Sequence, residues 1–88
     1  MSIQVKEKSL IKVPISSLQP GEKGIIASVE TSQEIRWKLL EMGIGPGEEI
    51  QLIRKTPFGG PIEFELMHYR LAIRKSEADK VFLTCKQQ

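Results

Sequence analysis

Few side chains in this sequence are suited to covalent or acid–base chemistry, and their spacing decides how far each can be taken. There is one histidine, His68, and one cysteine, Cys85. A nucleophile needs a base within hydrogen-bond reach, and that base is most often histidine. His68 stands between Met67 and Tyr69 at an expected turn, where it reads as a structural residue. Cys85 reads as a small buried or edge residue. Glu63 and Glu65 alternate along one expected strand face, the pattern of solvated carboxylates rather than of a paired acid and base. No CxxC, HxxxH or Asp-rich loop supplies metal-ligand spacing. The most the donors allow is a weak mixed transition-metal site of His68, Cys85 and nearby glutamates. The run Gly43-Ile44-Gly45-Pro46-Gly47 is glycine-rich, but a phosphate cradle leads into a helix N-terminus and this run leaves a helix. The expectation is a protein without catalysis, without a metal site of its own and without a cofactor.

The apolar residues are more informative, and they sit on elements that the pattern marks out. Thr31 with Glu34 forms a capping box, Gly43 supplies a left-handed stop, and Ser32–Met42 between them is an expected helix. Ile35, Leu39 and Met42 fall on one stripe facing the core, and Glu34 and Lys38 make an i,i+4 pair. Trp37 and Leu40 fall roughly opposite that stripe. A helix apolar on two sides must bury both or present one; either the N-terminal Ile3, Val5 or Leu10 covers Trp37 and Leu40, or that face docks a partner. Phe58 is a second anchor, at the tip of Thr56-Pro57-Phe58-Gly59-Gly60-Pro61, whose two glycines offer positive φ. It either projects or folds back over the end of the domain.

Around the helix the chain reads as β. Gly24–Val29 is rich in β-branched residues, Glu48–Arg54 and Ile62–Leu66 alternate, Tyr69, Leu71 and Ile73 continue the alternation, and Val81–Cys85 is the last strand. Ser16–Gly21 is a turn ending in Pro-Gly, and Ser76 caps one helical turn, Ser76–Asp79. About five short strands favour a small barrel, because closure removes exposed edges. The fold class is mostly β with one short helical insertion after the first barrel strand. Residues 1–13 form an arm, either an extra strand or mobile, and 14–88 form the domain.

The chain has 88 residues, 40% hydrophobic and 27% charged, enough for one modest core. No apolar run approaches the roughly 18–20 residues of a membrane span, and none resembles a signal peptide. A lone cysteine offers no internal disulfide, so the expected location is cytoplasmic, with no direct membrane insertion. The net charge of +2 sits in residues 1–13. The remainder is neutral with interspersed signs, which weighs against a nucleic-acid surface.

Four segments carry a family resemblance: Leu18-Gln19-Pro20-Gly21-Glu22-Lys23-Gly24-Ile25-Ile26, Lys38–Gly47, Thr56–Pro61 and Tyr69–Ala78. In this order and spacing they resemble the FeoA family, the ferrous iron transport protein A family, over about residues 14–84. The resemblance implies an SH3-like barrel and a small cytosolic accessory that binds FeoB, a membrane ferrous-iron transporter. On that reading the expected contact residues are Trp37, Leu39, Leu40, Met42, Gly43 and Ile44, then Phe58, Gly59 and Gly60. Leu39 and Met42 either join this contact or serve only the core. His68 stands where the family commonly has glycine at a turn, and histidine tolerates positive φ there. The arm lies outside the family pattern. Self-association through Trp37 and Leu40 is the other use of that face. Two alternatives come from other classes: a regulatory module like the C-terminal domain of DtxR-type metal-dependent repressors, and a small-barrel nucleic-acid binder.

Overall fold

The alternation of Ile62–Leu66 is realised as a strand with Ile62, Phe64 and Leu66 buried and Glu63 and Glu65 half-exposed. A computed structural model describes residues 12–84, and the strand lies inside its sheet, next to an edge strand. The strands are β1 (Val13–Pro14), β2 (Lys23–Val29), β3 (Glu49–Lys55), β4 (Ile62–Leu66), β5 (Tyr69–Ile73) and β6 (Val81–Leu83). The helices are α1 (Gln33–Glu41) and α2 (Lys75–Ala78), with 3₁₀ turns at Ile15–Ser17 and Pro57–Gly59. The sheet order is β1-β6-β2-β3-β4-β5, with every pair antiparallel.

Strand β2 explains how so short a chain encloses a core. Its first half pairs with β3, Ile25 opposite Glu49, and its second half pairs with β6, Val29 opposite Val81. The register shifts between Ile26 and Ser28, and a bulge of this kind bends a strand and raises its twist. One strand therefore serves two ladders, which enclose Ile26, Ile50, Leu52, Phe64 and Val81. A second register shift bends β3 between Leu52 and Arg54. No ladder joins β1 to β5 among the described residues, so the barrel is bent round its core rather than fully closed.

The expected elements stand, with physical reasons for the differences. Val13, counted with the arm, pairs with Leu83, and Val13–Pro14 adds a two-residue sixth strand beside β6. Residues 1–11 of the arm and the strand end at Cys85 lie outside the described residues, as does any packing of Ile3, Val5 or Leu10 on the helix. The helix cap is Ser32, whose Oγ accepts from the Ile35 N–H at 3.3 Å; the Thr31 position is one residue too early. Lys38 leaves Glu34 for Glu77 on α2, at 2.9 Å, because that carboxylate is buried and in reach. Arg74, not Ser76, is the N-cap of α2, and its backbone N–H is taken by Glu77 at 3.1 Å. In the β4–β5 turn the left-handed residue is Met67, φ 50°, rather than His68.

Candidate functional site

The reverse side of α1 is open to solvent. Leu39 is fully buried and Ile35 and Met42 pack against the core, so that stripe is spent on folding. Trp37 and Leu40, on the other side, are 60% and 43% exposed. Beside them runs a shallow groove of about 200 Å³ between α1 and β2, lined by Ala27, Ser28, Val29, Arg36, Leu40 and Pro46. The lining is mainly aliphatic, with the Arg36 side chain at its border.

The end of α1 is fixed by a Schellman motif, in which the Gly43 N–H reaches the Leu40 carbonyl and the Ile44 N–H the Leu39 carbonyl, each at 2.9 Å. The hydrophobic contact that accompanies such an ending falls to Leu39 and Ile44. Both are therefore core residues with no exposed surface. Of the contact residues expected on this segment, the structure presents Trp37 and Leu40, half-buries Met42 and Gly43, and withdraws Leu39 and Ile44. Gly43 has φ +93°, and a Cβ there would lie 2.0 Å from the Tyr69 hydroxyl. That hydroxyl donates to the Met42 carbonyl, one of the groups a helix end leaves unpaired. Tyr69 thus ties the start of β5 to the C-terminal end of α1. Sequence spacing carries no trace of this juxtaposition, because it depends on a contact between residues 27 positions apart.

Phe58 projects. It is 105% exposed, so it does not fold back over the domain. Its φ of 62° is left-handed, as is that of Gly59 at 74°, whereas Gly60 has φ −74° and needs no such freedom. The loop joins the end of β3 to β4, and the Gly43–Gly47 turn leads into the start of β3. Seven strand residues at about 3.3 Å each put the two places on the order of 20 Å apart. The structure therefore separates the Phe58-Gly59-Gly60 loop from the α1 face instead of joining them into one surface.

The electrostatics of the domain favour structure over chemistry. The carboxylate of Glu77 is held below its usual range by the Lys38 ammonium and the Arg74 N–H. That of Asp79 is lowered by the Ser16 hydroxyl and by Lys75. Glu30, at the surface, is lowered by Lys12 and Ser28. Among the described residues no three His, Cys, Asp or Glu side chains gather as a metal site. No helix among them is long and apolar enough to cross a membrane.

Comparison with known proteins supplies the context. The FeoA domain model matches residues 13–85. An Fe(2+) transport protein A/Fe(2+) transporter FeoB fusion protein of Porphyromonas gingivalis is 30% identical over 67 residues, covering 76% of this chain and 8% of the fusion. The crystal structure of an iron uptake regulatory protein, FeoA, is 36% identical with a TM-score of 0.77, covering 84% of this chain and 97% of that one. A zinc-complexed FeoA of Stenotrophomonas maltophilia, characterised as an SH3-domain protein, is 29% identical with a TM-score of 0.69, over 81% of this chain and 88% of that one. A manganese-dependent transcriptional repressor shares the fold alone: 12% identity, TM-score 0.75, over 83% of this chain and 41% of that one. The SH3-like fold and its likeness to a repressor module are thus both found.

Proposed function

This chain belongs to the FeoA family of ferrous iron transport, and from that premise we propose that it is a binding accessory of iron uptake, docking on the cytoplasmic part of a FeoB-type membrane transporter. One observation carries the reading: in a relative, a segment like this chain is part of the same polypeptide as a FeoB transporter. Domains fused in one protein are commonly partners when they are separate. The matched segment is 8% of that fusion, so the transporter's activity belongs to the rest of it.

The surface we assign to the contact is the α1 face, with Trp37 as its anchor and Leu40 and the adjoining groove as the apolar floor. Large aromatic side chains dominate binding hot spots, and an apolar floor excludes water around them. Gly43 and Met42 shape the border of this face. The test uses the purified chain and the detergent-solubilised FeoB-type transporter of the same organism. Leu40→Asp places a charge in the floor without touching the core, and is expected to weaken binding at least about tenfold while moving Tm by only a few degrees. Apolar docking should persist as salt is raised, whereas binding to phosphates falls steeply. Undiminished binding by a folded Leu40→Asp variant would remove this face from the contact.

A further inference from the structure

The β3–β4 loop holds an aromatic ring outside the protein by construction. Pro57 and Pro61 restrict the backbone on either side of Phe58, and the Gly60 N–H to Pro57 carbonyl bond, at 3.4 Å, closes the turn. The Thr56 N–H reaches the Pro61 carbonyl at 3.3 Å at the base. A bulky residue in the left-handed region costs about 1–2 kcal/mol, and here it is met without burying any of the ring. From Pro57 to Pro61 the tip carries no charge. Behind it stand Lys55 and, across shallow clefts shared with Gly59 and Gly60, Lys75 and Arg74. Arg54 is also at the base, paired with Glu63 at 2.8 Å, and Lys75 is paired with Asp79 at 3.2 Å. An uncharged aromatic tip with cations set back from it matches the layering of an anionic bilayer, where apolar chains lie beneath phosphates.

We propose that this loop is a membrane-surface contact, in which Phe58 enters the headgroup boundary of an anionic bilayer and Lys55, Arg74 and Lys75 lie against lipid phosphates. The sequence expectation of no direct membrane insertion rests on the lack of a span, and a loop tip needs none. The contact is weak by itself, since one ring and a few cations fall short of two full anchoring signals. It is independent of the α1 face, and it gives the separated Phe58 loop an occupant that the transporter-docking surface does not.

The test is co-sedimentation of the full chain with phosphatidylcholine vesicles, with and without one-third phosphatidylglycerol, at millimolar lipid. The chain should bind the anionic vesicles and not the neutral ones. Phe58→Ser should lower the bound fraction at least about fivefold, Lys55→Glu should lower it too, and Leu40→Asp should leave it unchanged. In a Trp37→Phe background, Phe58→Trp should give an emission that shifts to the blue on anionic vesicles. No binding to anionic vesicles overturns the proposal, as does binding that is unaffected by Phe58→Ser, or an introduced indole whose emission stays water-like. Loss of transporter binding in detergent by Phe58→Ser, with vesicle binding intact, would assign the loop to a protein instead.

Discussion

At the scale of single residues, Gly43 and Tyr69 form a coupled pair that sets how α1 ends. Alanine at 43 meets two obstacles: a left-handed backbone, costing about 1–2 kcal/mol, and the Tyr69 hydroxyl, 2.0 Å from its methyl group. Tyr69→Phe removes the bond to the Met42 carbonyl, worth about 0.5–1.5 kcal/mol. The double variant should lose less than the two single losses combined, by about 0.5 kcal/mol or more, because without the hydroxyl the clash is relieved. Denaturant melts of all four proteins read this directly, and strict additivity would mean the two residues do not meet. Glu77 gives the pH dependence. Its carboxyl is held below the usual value of 4.5 by Lys38 and the Arg74 N–H. A depressed folded pKa stabilises above the unfolded value and loses that contribution as pH falls through the folded one. Tm should therefore be level above about pH 5 and fall below it, with Asp79 adding to the loss at slightly lower pH. Glu77→Gln should cost about 1 kcal/mol at neutral pH, discounted because Lys38 stays hydrated, and should flatten the acid limb. An unchanged acid limb in that variant would place the titration elsewhere.

At the scale of elements, the helix start offers a one-residue discrimination. Ser32→Ala removes the acceptor of the Ile35 N–H and should cost about 1 kcal/mol, whereas Thr31→Ala should be nearly neutral. Equal losses would restore the cap to Thr31. The near miss is instructive: Thr31 and Ser32 are both good caps, and the backbone leaving β2 decides between them. Elements with a strong internal period were legible. The stripe of Ile35, Leu39 and Met42 and the alternation of Ile62–Leu66 both take the burial that their spacing implies. Elements made by pairing were not. Val13–Pro14 is a strand only because β6 lies beside it, and two residues carry no period. Lys38 has an intrahelical partner at Glu34 on paper, but it takes Glu77, which a sequence cannot place nearby. For the candidate surface, Trp37, Leu40 and Phe58 were legible as apolar residues with no expected core to fill. Leu39 read both as core and as contact, and the structure keeps it in the core; Ile44 was expected at the contact and is buried, because the Schellman contact that buries it depends on three-dimensional closure. Tyr69 was missed for the same reason.

At the scale of the whole molecule, the domain presents two separated surfaces and a single core, and this has a consequence for fused and free forms. A docking face centred on one indole and one leucine is small, and an accessory built on it is suited to reversible association. Joining such a domain to its partner converts docking into an intramolecular event, and linkage can raise avidity by about 10²–10⁴ without a new contact. The FeoA–FeoB fusion of Porphyromonas gingivalis has that covalent arrangement. The prediction concerns variants of the present chain. In cells lacking it, free Leu40→Asp should restore ferrous iron uptake poorly, because docking at cellular concentrations is lost. The same variant, tethered to the transporter's soluble part through a flexible Gly/Ser linker, should restore uptake substantially, since a tenfold weaker contact is offset by the effective concentration. Leu39→Ala is the control of opposite kind. It opens a cavity in a small core at a cost of about 2–5 kcal/mol, and tethering cannot restore a domain that does not fold. Uptake of radiolabelled ferrous iron measures all four strains. Rescue of Leu40→Asp but not Leu39→Ala places the function of the α1 face in association. Failure of the tethered, folded Leu40→Asp protein would mean that this face acts on the transporter after docking, beyond merely holding the two together.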